Sequence, residues 1–419
     1  MRVLFTTIPE PTVFRSMVPL AWALRTAGHE VCVAAQPRLT EVITRAGLTA
    51  VPVGTDRDIW QSFEAHPAEL ASLRTALLEP YDAAVQPDVT WEYLKAGYDY
   101  HVTWWHKMDA FPVISDLVSF ARHWKPDLVI WEPTSYAGAI AAKATGAAHA
   151  RLLWGLDVFG VTRDHYLRLK AKQRRHARGD ALADWLGHQA GRFGAEFTED
   201  MTCGQFTIDP LPGSLRTPAA LRHVPMRYMS YEDNAVAPAW LSATPARPRV
   251  ALSLEGAGIE AFGGYPVKPA EILDALCDLD IDIIATGLGD LPSRLPDNTT
   301  AAPPVPLSTL VPTCAAVVHH PSPAGLAVTA SHGVPQLILP VYADEPPLGG
   351  RIAEQGAGMQ LHSSQATGQS IRDALLHLLK DPAFGRQAAR LSQEMLAMPT
   401  PREVAGHLNG LTAELRAGV

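Results

Sequence analysis

The stretch VVHHPSPAGLAVTASHGVPQLILPVYADEPPLGGRIAEQGAG, residues 317–358, decides the fold. Its apolar start predicts a buried parallel strand over Ala315–His319. A helix is expected from about Ala324, and the next apolar run predicts a strand over Gln336–Val341. A strand, a helix and a second strand in this order make a βαβ unit, and repeated βαβ units build a parallel sheet.

The same alternation extends outward from this stretch. It predicts strands at Val3–Phe5 and Val31–Ala35 with a helix between them, and it recurs between Asp127 and Trp154. Closely spaced prolines at residues 204–248 indicate a linker, because proline disrupts helices and central strands. We therefore predict an α/β protein of two doubly wound parallel-sheet (Rossmann-like) domains that face each other across a cleft. The predicted parts are a first domain over 1–210, a proline-rich linker over 211–248, a second domain over 249–400, and a C-terminal helix over 401–419 that is able to pack back on the first domain.

Length and charge narrow the classes of function. With 419 residues, 47% hydrophobic and 19% charged, the chain is predicted to be globular and long enough for two domains. Asp and Glu outnumber Lys and Arg by 43 to 35, so nucleic acid and anionic membranes are not expected partners. No apolar run reaches the roughly 20 residues of a membrane helix and no leader precedes Val3, which predicts a cytoplasmic protein. The four cysteines lie far apart without a CxxC pair, so neither a metal site nor a disulfide is predicted.

Three segments carry a family resemblance. Residues 317–358, the opening MRVLFTT and the segment RHWKPDLVIWEPTSYAGAIAAKATGAAHARLLWG at 122–155 resemble the nucleotide-sugar glycosyltransferases that decorate actinomycete polyketides. The resemblance implies the GT-B fold, with an acceptor-binding first domain and a second domain that binds a TDP- or UDP-deoxysugar without metal or cofactor. We expect inverting transfer of the deoxysugar to an aromatic or polyketide acceptor, through oxygen or through carbon. A helper protein or a homodimer stays open.

The donor loop departs from the family pattern. Where the family shows His-His-Gly-Gly-x-Gly-Thr, this chain has HHPSPAG at 319–325, and Pro321 and Pro323 have no N–H for a diphosphate. By resemblance, the His320 imidazole, the Ser322 hydroxyl and the first-turn amides remain as anion donors. The alternative for His320 is capping or packing at a strand end. The expected donor-binding residues are Ser253, Val305, Leu307, His320, Ser322, Ala324, Gly325, Asp344 and Glu345.

Two hypotheses follow from these departures. In the first, the chain is an active glycosyltransferase with an altered diphosphate loop. In the second, donor chemistry is lost and the protein binds a polyketide, assists another enzyme or catalyses a different reaction. The carboxylate of Glu255, next to the expected phosphate site, favours the second hypothesis because it repels an anion unless it is paired or turned away.

The catalytic base is also altered. Family members that transfer to oxygen generally carry a histidine at the position that ungapped counting assigns to Val13, and valine cannot accept a proton. Some members that transfer to carbon lack this histidine and use an aspartate of the first domain. Asp157, after the predicted strand Ala150–Trp154, is our first candidate for the base, and Glu10 is the second. The alternative for Asp157 is an Asx turn or a helix N-cap before Val158.

The prediction of an acceptor site is based mainly on apolar and aromatic residues. Trp104 and Trp105 lie in an aromatic-rich segment that either walls a pocket for the aglycone or belongs to the core. The expected acceptor-binding residues are Val13, Phe14, Trp104, Trp105 and Glu132.

Overall fold

The computed structural model describes residues 1–57, 79–86, 88–232, 236–254, 265–289, 291–303, 305–341 and 345–417. These residues divide into two compact units. Described residues up to Arg227 and from Pro399 onward form the first unit, and Tyr228–Met398 form the second.

The first unit is built on a seven-stranded sheet in the order β3-β2-β1-β4-β5-β6-β7, and every neighbouring pair in it is parallel. Strands β1, β4 and β5 are buried almost throughout, as expected for a sheet covered on both faces. The strands are β1 (Arg2–Thr6), β2 (Glu30–Ala35), β3 (Thr49–Pro52), β4 (Leu128–Trp131), β5 (Ala148–Leu152), β6 (Phe206–Asp209) and β7 (His223–Pro225).

The helices of the first unit cover this sheet. One of them packs very closely: a Cβ at Gly138 would lie 2.6 Å from the Trp131 Cβ and 2.7 Å from the Thr6 Cγ2, so only glycine fits there. The helices are α1 (Pro11–Thr26), α2 (Thr40–Arg45), α3 (Trp91–His101), α4 (Lys107–Ala110), α5 (Ile114–Trp124), α6 (Ala137–Thr145), α7 (Val158–Lys172), α8 (Ala181–Arg192) and α9 (Asp200–Cys203). Between α3 and α4 the chain forms a π-helical turn over Val102–His106.

The second unit contains a parallel sheet of six strands in the order β10-β9-β8-β11-β12-β13. The strands are β8 (Arg249–Ser253), β9 (Asp282–Thr286), β10 (Thr299–Ala301), β11 (Ala316–His319), β12 (Gln336–Ile338) and β13 (Gly358–Gln360). The helices are α10 (Pro269–Leu276), α11 (Leu307–Leu310), α12 (Pro323–Ser331), α13 (Glu345–Glu354), α14 (Gly368–Lys380) and α15 (Pro382–Leu396). Aliphatic side chains of β8, β9 and β11 form the centre of its core.

The segment 211–248, predicted as a linker, is divided between the two units at Arg227. Its first part supplies β7, which pairs with β6 as the edge strand of the first sheet and ends at Pro225. An edge strand tolerates proline because one side of its backbone needs no partner strand. Its second part packs on the other unit, where Leu241 joins a cluster with Ala251 and Ile284.

The C-terminal residues return to the first unit. Helix α16 (Pro401–Ala417) contacts α1, and the Arg416 guanidinium contacts the Asp127 carboxylate. None of the described helices combines the length and the apolar character that crossing a membrane requires.

Candidate functional site

A small pocket lined by both polar and apolar residues opens in the first unit where β1, β2 and β4 end. The residues that line it include Thr7, Ile8, Gln36, Asp109, Thr134 and Ser135. In the strand order of this sheet, β1 and β4 are the neighbours at which the direction of winding reverses. Ligands of open α/β sheets bind at the carboxyl ends of the strands at such a switch point. The pocket is therefore the candidate acceptor site of this unit.

Glu132 lies directly after β4 and is completely buried beside this pocket. Its carboxylate accepts hydrogen bonds from the Thr134 amide at 2.9 Å and the Thr134 hydroxyl at 2.7 Å. The Trp154 indole N–H donates to it from 3.4 Å. Burial raises the pKa of Glu132, and these hydrogen bonds act in the opposite direction. Because protein donors already occupy its oxygens, Glu132 shapes the pocket, which argues against the predicted direct contact with an acceptor.

Asp109 is the functional candidate that the sequence did not reveal. It lies in the single-turn helix α4, and its Oδ2 is buried without a hydrogen-bond partner in the described parts of the chain. Burial and the charge of Glu132 raise the pKa of Asp109 to about 8, while the charge of Arg57 lowers it. The sequence around Asp109 carries no motif, so only the fold brings it beside Glu132.

Asp157 occupies a structural position. Its carboxylate forms a bidentate ion pair with the buried Arg151, with N···O distances of 2.9 and 2.6 Å. The carboxylate also caps α7 by accepting from the Gly160 amide at 2.8 Å. A Cβ at Gly160 would lie 2.4 Å from the Asp157 Oδ2, so the cap requires glycine there. This arrangement argues against the prediction that Asp157 is the base, because both oxygens already hold protein donors. Its alternative reading as an N-cap describes the geometry.

The residues around the start of α1 are also mainly structural. Glu10 caps this helix, accepting from the Thr12 amide at 3.3 Å and the Thr12 hydroxyl at 3.1 Å. Phe14 is completely buried and Val13 is almost so. Phe14 therefore belongs to the core, and nothing in its environment adds to the prediction of acceptor contact.

The two tryptophans predicted on the acceptor side lie on the π-helical turn. Trp104 is 57% exposed, and Trp105 is half-buried and stacks on His101 with ring centroids 5.6 Å apart. By contrast, the neighbouring Trp91 and Tyr98 belong to the core. The π-helical turn thus turns Trp104 outward, and acceptor binding by Trp104 and Trp105 stays a prediction.

His320 is the central polar residue of the second unit's loop after β11. It is buried, and its Nε2 lies 2.9 Å from the Oε1 of Glu345 at the start of α13. The other oxygen of Glu345 accepts from the Val341 amide at 2.8 Å. The Tyr265 ring meets the imidazole edge-on, with centroids 6.2 Å apart. Two predicted donor residues, His320 and Glu345, are therefore brought into direct contact.

The first turn of α12 is largely self-satisfied. The Ser322 hydroxyl oxygen caps the helix by accepting from the Gly325 amide at 3.0 Å. Two amides were predicted to bind the diphosphate. The Gly325 amide is occupied by Ser322, and the amide of the exposed Ala324 remains. Ser253, at the end of β8, lies beside this loop, because its carbonyl accepts from the His320 amide at 3.0 Å.

The other predicted donor residues are more scattered. Val305 is buried in an apolar cluster against which Leu307 packs. The Glu232 carboxylate caps α11 by accepting from the Ser308 amide at 2.9 Å and its hydroxyl at 2.7 Å. Asp344 and Glu255 lie outside the described residues.

Residues within the described ranges contain no group of three or more His, Cys, Asp or Glu side chains placed to hold a metal ion. The expectation that the reaction needs neither metal nor cofactor stays a prediction.

Comparison with known proteins identifies the family that shares this architecture. The N-terminal domain of erythromycin biosynthesis protein CIII-like proteins matches residues 22–255, and their C-terminal domain matches residues 270–411. The chain is also 42% identical to 10-deoxymethynolide desosaminyltransferase of Streptomyces venezuelae, over 99% of this chain and 98% of that protein. The chain belongs to the CIII-like family of glycosyltransferases.

Two more proteins agree with this membership. Aclacinomycin-T 2-deoxy-L-fucose transferase of Streptomyces galilaeus is 40% identical, over 99% of this chain and 97% of that protein. The crystal structure of glycosyltransferase VinC in complex with DTDP matches with a TM-score of 0.85 at 37% identity, covering 99% of this chain and 100% of that one. The predicted GT-B fold and the predicted glycosyltransferase class of the CIII-like chain are therefore confirmed.

Proposed function

We propose that the chain transfers a deoxysugar from a TDP-sugar to a hydroxyl of a polyketide, with inversion at the anomeric carbon and without a metal. The observation that carries the proposal is the His320 loop: a buried imidazole held by Glu345, at the carboxyl end of β11 and the start of α12. Parallel sheets bind ligands at this end of their strands, and a helix N-terminus favours anions.

The relatives support the chemical class of both substrates. One relative is named for desosamine and 10-deoxymethynolide, and another is a TDP-daunosamine transferase of Streptomyces peucetius. The neighbouring VinC structure contains DTDP. We extend these names to the present chain as a TDP-deoxysugar donor and a polyketide acceptor.

The residues of the second unit supply donor binding in this proposal. With prolines at 321 and 323, fewer backbone amides are available for the diphosphate than in a glycine-rich loop. His320 therefore contributes a larger share of the affinity, as a donor directed at a phosphate oxygen. A hydrogen bond to a charged group contributes about 1.5–3 kcal/mol, which corresponds to roughly a tenfold to hundredfold change in affinity.

Calorimetric titration with TDP tests this assignment. The variant His320→Gln keeps a side-chain donor for Glu345, and we expect it to weaken TDP binding by about tenfold or more. His332→Ala is the matched control, since His332 caps the opposite end of α12. This variant should bind TDP like the wild type.

Transfer itself is tested by incubating TDP-daunosamine or TDP-desosamine with 10-deoxymethynolide. The expected result is a mass increase of the acceptor by one sugar. Absence of TDP binding to the wild type at millimolar concentration would contradict the proposed function and favour the hypothesis of lost donor chemistry.

A further inference from the structure

We infer that Asp109 is the general base that takes the proton from the acceptor hydroxyl in the pocket of the first unit. This inference rests on the proposed function, because it assigns a role in the same transfer reaction. In this assignment a carboxylate from the short helix α4 has the role of the histidine that is expected at the position of Val13 in α1.

Two buried polar atoms in the pocket lack a hydrogen-bond partner within the described ranges. They are the Oδ2 of Asp109 and the Oγ1 of Thr7, and neither has a hydrogen-bond partner among the residues that the structure describes. Both residues line the same pocket. An unsatisfied buried polar atom costs about 1–3 kcal/mol, so a ligand that satisfies both atoms gains affinity from them. An alcohol or phenol has the complementary chemistry, because a hydroxyl oxygen accepts from a donor such as Thr7 while its proton is donated to an acceptor such as Asp109.

The two carboxylates beside the pocket have different environments. Glu132 accepts from the Thr134 amide and hydroxyl and from the Trp154 indole, and these donors favour its ionised form. Asp109 Oδ2 has no such donor among the residues that the structure describes. When two neighbouring carboxyl groups lie in unlike environments, one of them stays charged and the other exchanges protons. Glu132 is thus the positioning residue and Asp109 the base.

Burial and neighbouring charges shift the pKa of Asp109. Burial and the charge of Glu132 raise the pKa of Asp109 to about 8, and Arg57, which follows β3, lowers it. A base with a pKa near the working pH combines adequate basicity with a useful ionised fraction. The ionised form therefore increases as the pH rises toward and beyond 8.

The step balances without a cofactor. The ionised Asp109 takes the hydroxyl proton as the hydroxyl oxygen forms a bond to the anomeric carbon of the donor sugar. The bond between that carbon and the diphosphate oxygen breaks, and its electron pair leaves with TDP. Asp109 then releases its proton to water and is ready for the next cycle.

The first test is the pH profile of transfer with the donor and acceptor pair that the wild type uses. We expect kcat/KM of the wild type to rise about tenfold per pH unit below pH 8 and to level off above it. Asp109→Asn keeps the shape and should lower turnover by roughly 10²–10⁴ with unchanged TDP affinity and no inflection near pH 8. Asp99→Asn, on the exposed face of α3, is the control and should keep both rate and profile.

Two further variants keep the inference falsifiable if Asp109→Asn is poorly folded. Thr7→Val removes a buried unsatisfied hydroxyl, so it should fold normally and raise the acceptor KM severalfold. Glu132→Gln removes the neighbouring charge and should move the inflection to lower pH. A merely structural Asp109 would leave the inflection unchanged in both Asp109→Asn and Glu132→Gln.

The outcomes separate this inference from the proposed function. If the wild type transfers no sugar and binds no TDP, the proposed function fails. If the wild type transfers sugar and Asp109→Asn matches its rate and profile, only the Asp109 assignment is overturned. Infrared spectroscopy gives a readout without turnover: a protonated carboxyl band should disappear as the pH rises through 8 and be absent in Asp109→Asn, and its loss below pH 5 would overturn the inference.

Discussion

Arg151 carries a positive charge into a site with no exposed surface, and the protein surrounds it with acceptors. Asp157 binds the guanidinium with both oxygens, the Thr207 hydroxyl oxygen lies 2.9 Å away, and the Cys203 carbonyl accepts from Nε at 2.8 Å. A buried ion pair adds little net stability, but removing one partner leaves an uncompensated charge in the interior. Asp157 therefore matters for folding through Arg151.

This leads to a residue-level prediction. Asp157→Asn keeps an oxygen for the Gly160 amide and removes the counter-charge, so unfolding free energy should fall by about 3–5 kcal/mol. Urea unfolding measures the change. Asp164→Asn, which removes a half-buried carboxylate paired with the exposed Arg168 on the same helix, should cost much less, about 1 kcal/mol. Unchanged stability together with a hundredfold loss of turnover would restore Asp157 as the base.

At the scale of elements, the C-terminal helix completes the first unit. Helix α16 buries Val404, Leu408 and Leu411 on one face and contacts α1. Leu408→Ala should destabilise the first unit by about 2–5 kcal/mol, because it removes buried methyl groups and leaves a cavity. Hydrogen exchange of peptides from each unit measures this, and Asn409→Ala, one position further along on the exposed side, should have little effect. Equal loss of protection in the second unit would contradict the assignment of α16 to the first.

Strands could be predicted from the sequence where the whole strand is buried in the core. The apolar run Val3–Phe5 lies within β1, and the predicted strand Ala315–His319 overlaps β11 almost completely, because buried parallel strands have continuous apolar sequences. Strand β7 was missed because its sequence contains Pro225 and is only three residues long. Its pairing with β6 depends on tertiary contacts that local sequence does not encode.

Site candidates could be proposed from the sequence where a residue follows a strand directly. His320 and Glu132 each come immediately after a buried strand, at the end where ligands bind, and their roles in donor and acceptor binding stay predictions. Asp109 could not be proposed from the sequence, since it lies in a four-residue helix without a motif and only the fold places it at the pocket. The ion pair of Asp157 could not be predicted, because its partner Arg151 lies inside a strand, where the sequence predicts an apolar neighbour.

At the scale of the whole molecule, each unit has its own sheet and its own hydrophobic core. The formal charge of −8 gives no long-range attraction for an anionic nucleotide, so donor capture depends on groups close to the diphosphate. In our proposal these groups belong to the second unit. Donor binding should therefore stabilise the two units unequally.

Hydrogen exchange with and without TDP tests this consequence. A ligand at 100 times its Kd adds about 2.7 kcal/mol to the native state that binds it, which slows exchange through unfolding roughly a hundredfold. We expect this protection in peptides that cover β8, β11 and α12, and little change in peptides that cover β1, β4 and α6. His320→Gln should need about tenfold more TDP for the same protection, whereas His332→Ala should match the wild type. Protection that is confined to the first unit, or that is insensitive to His320, would show that the nucleotide is held by other residues.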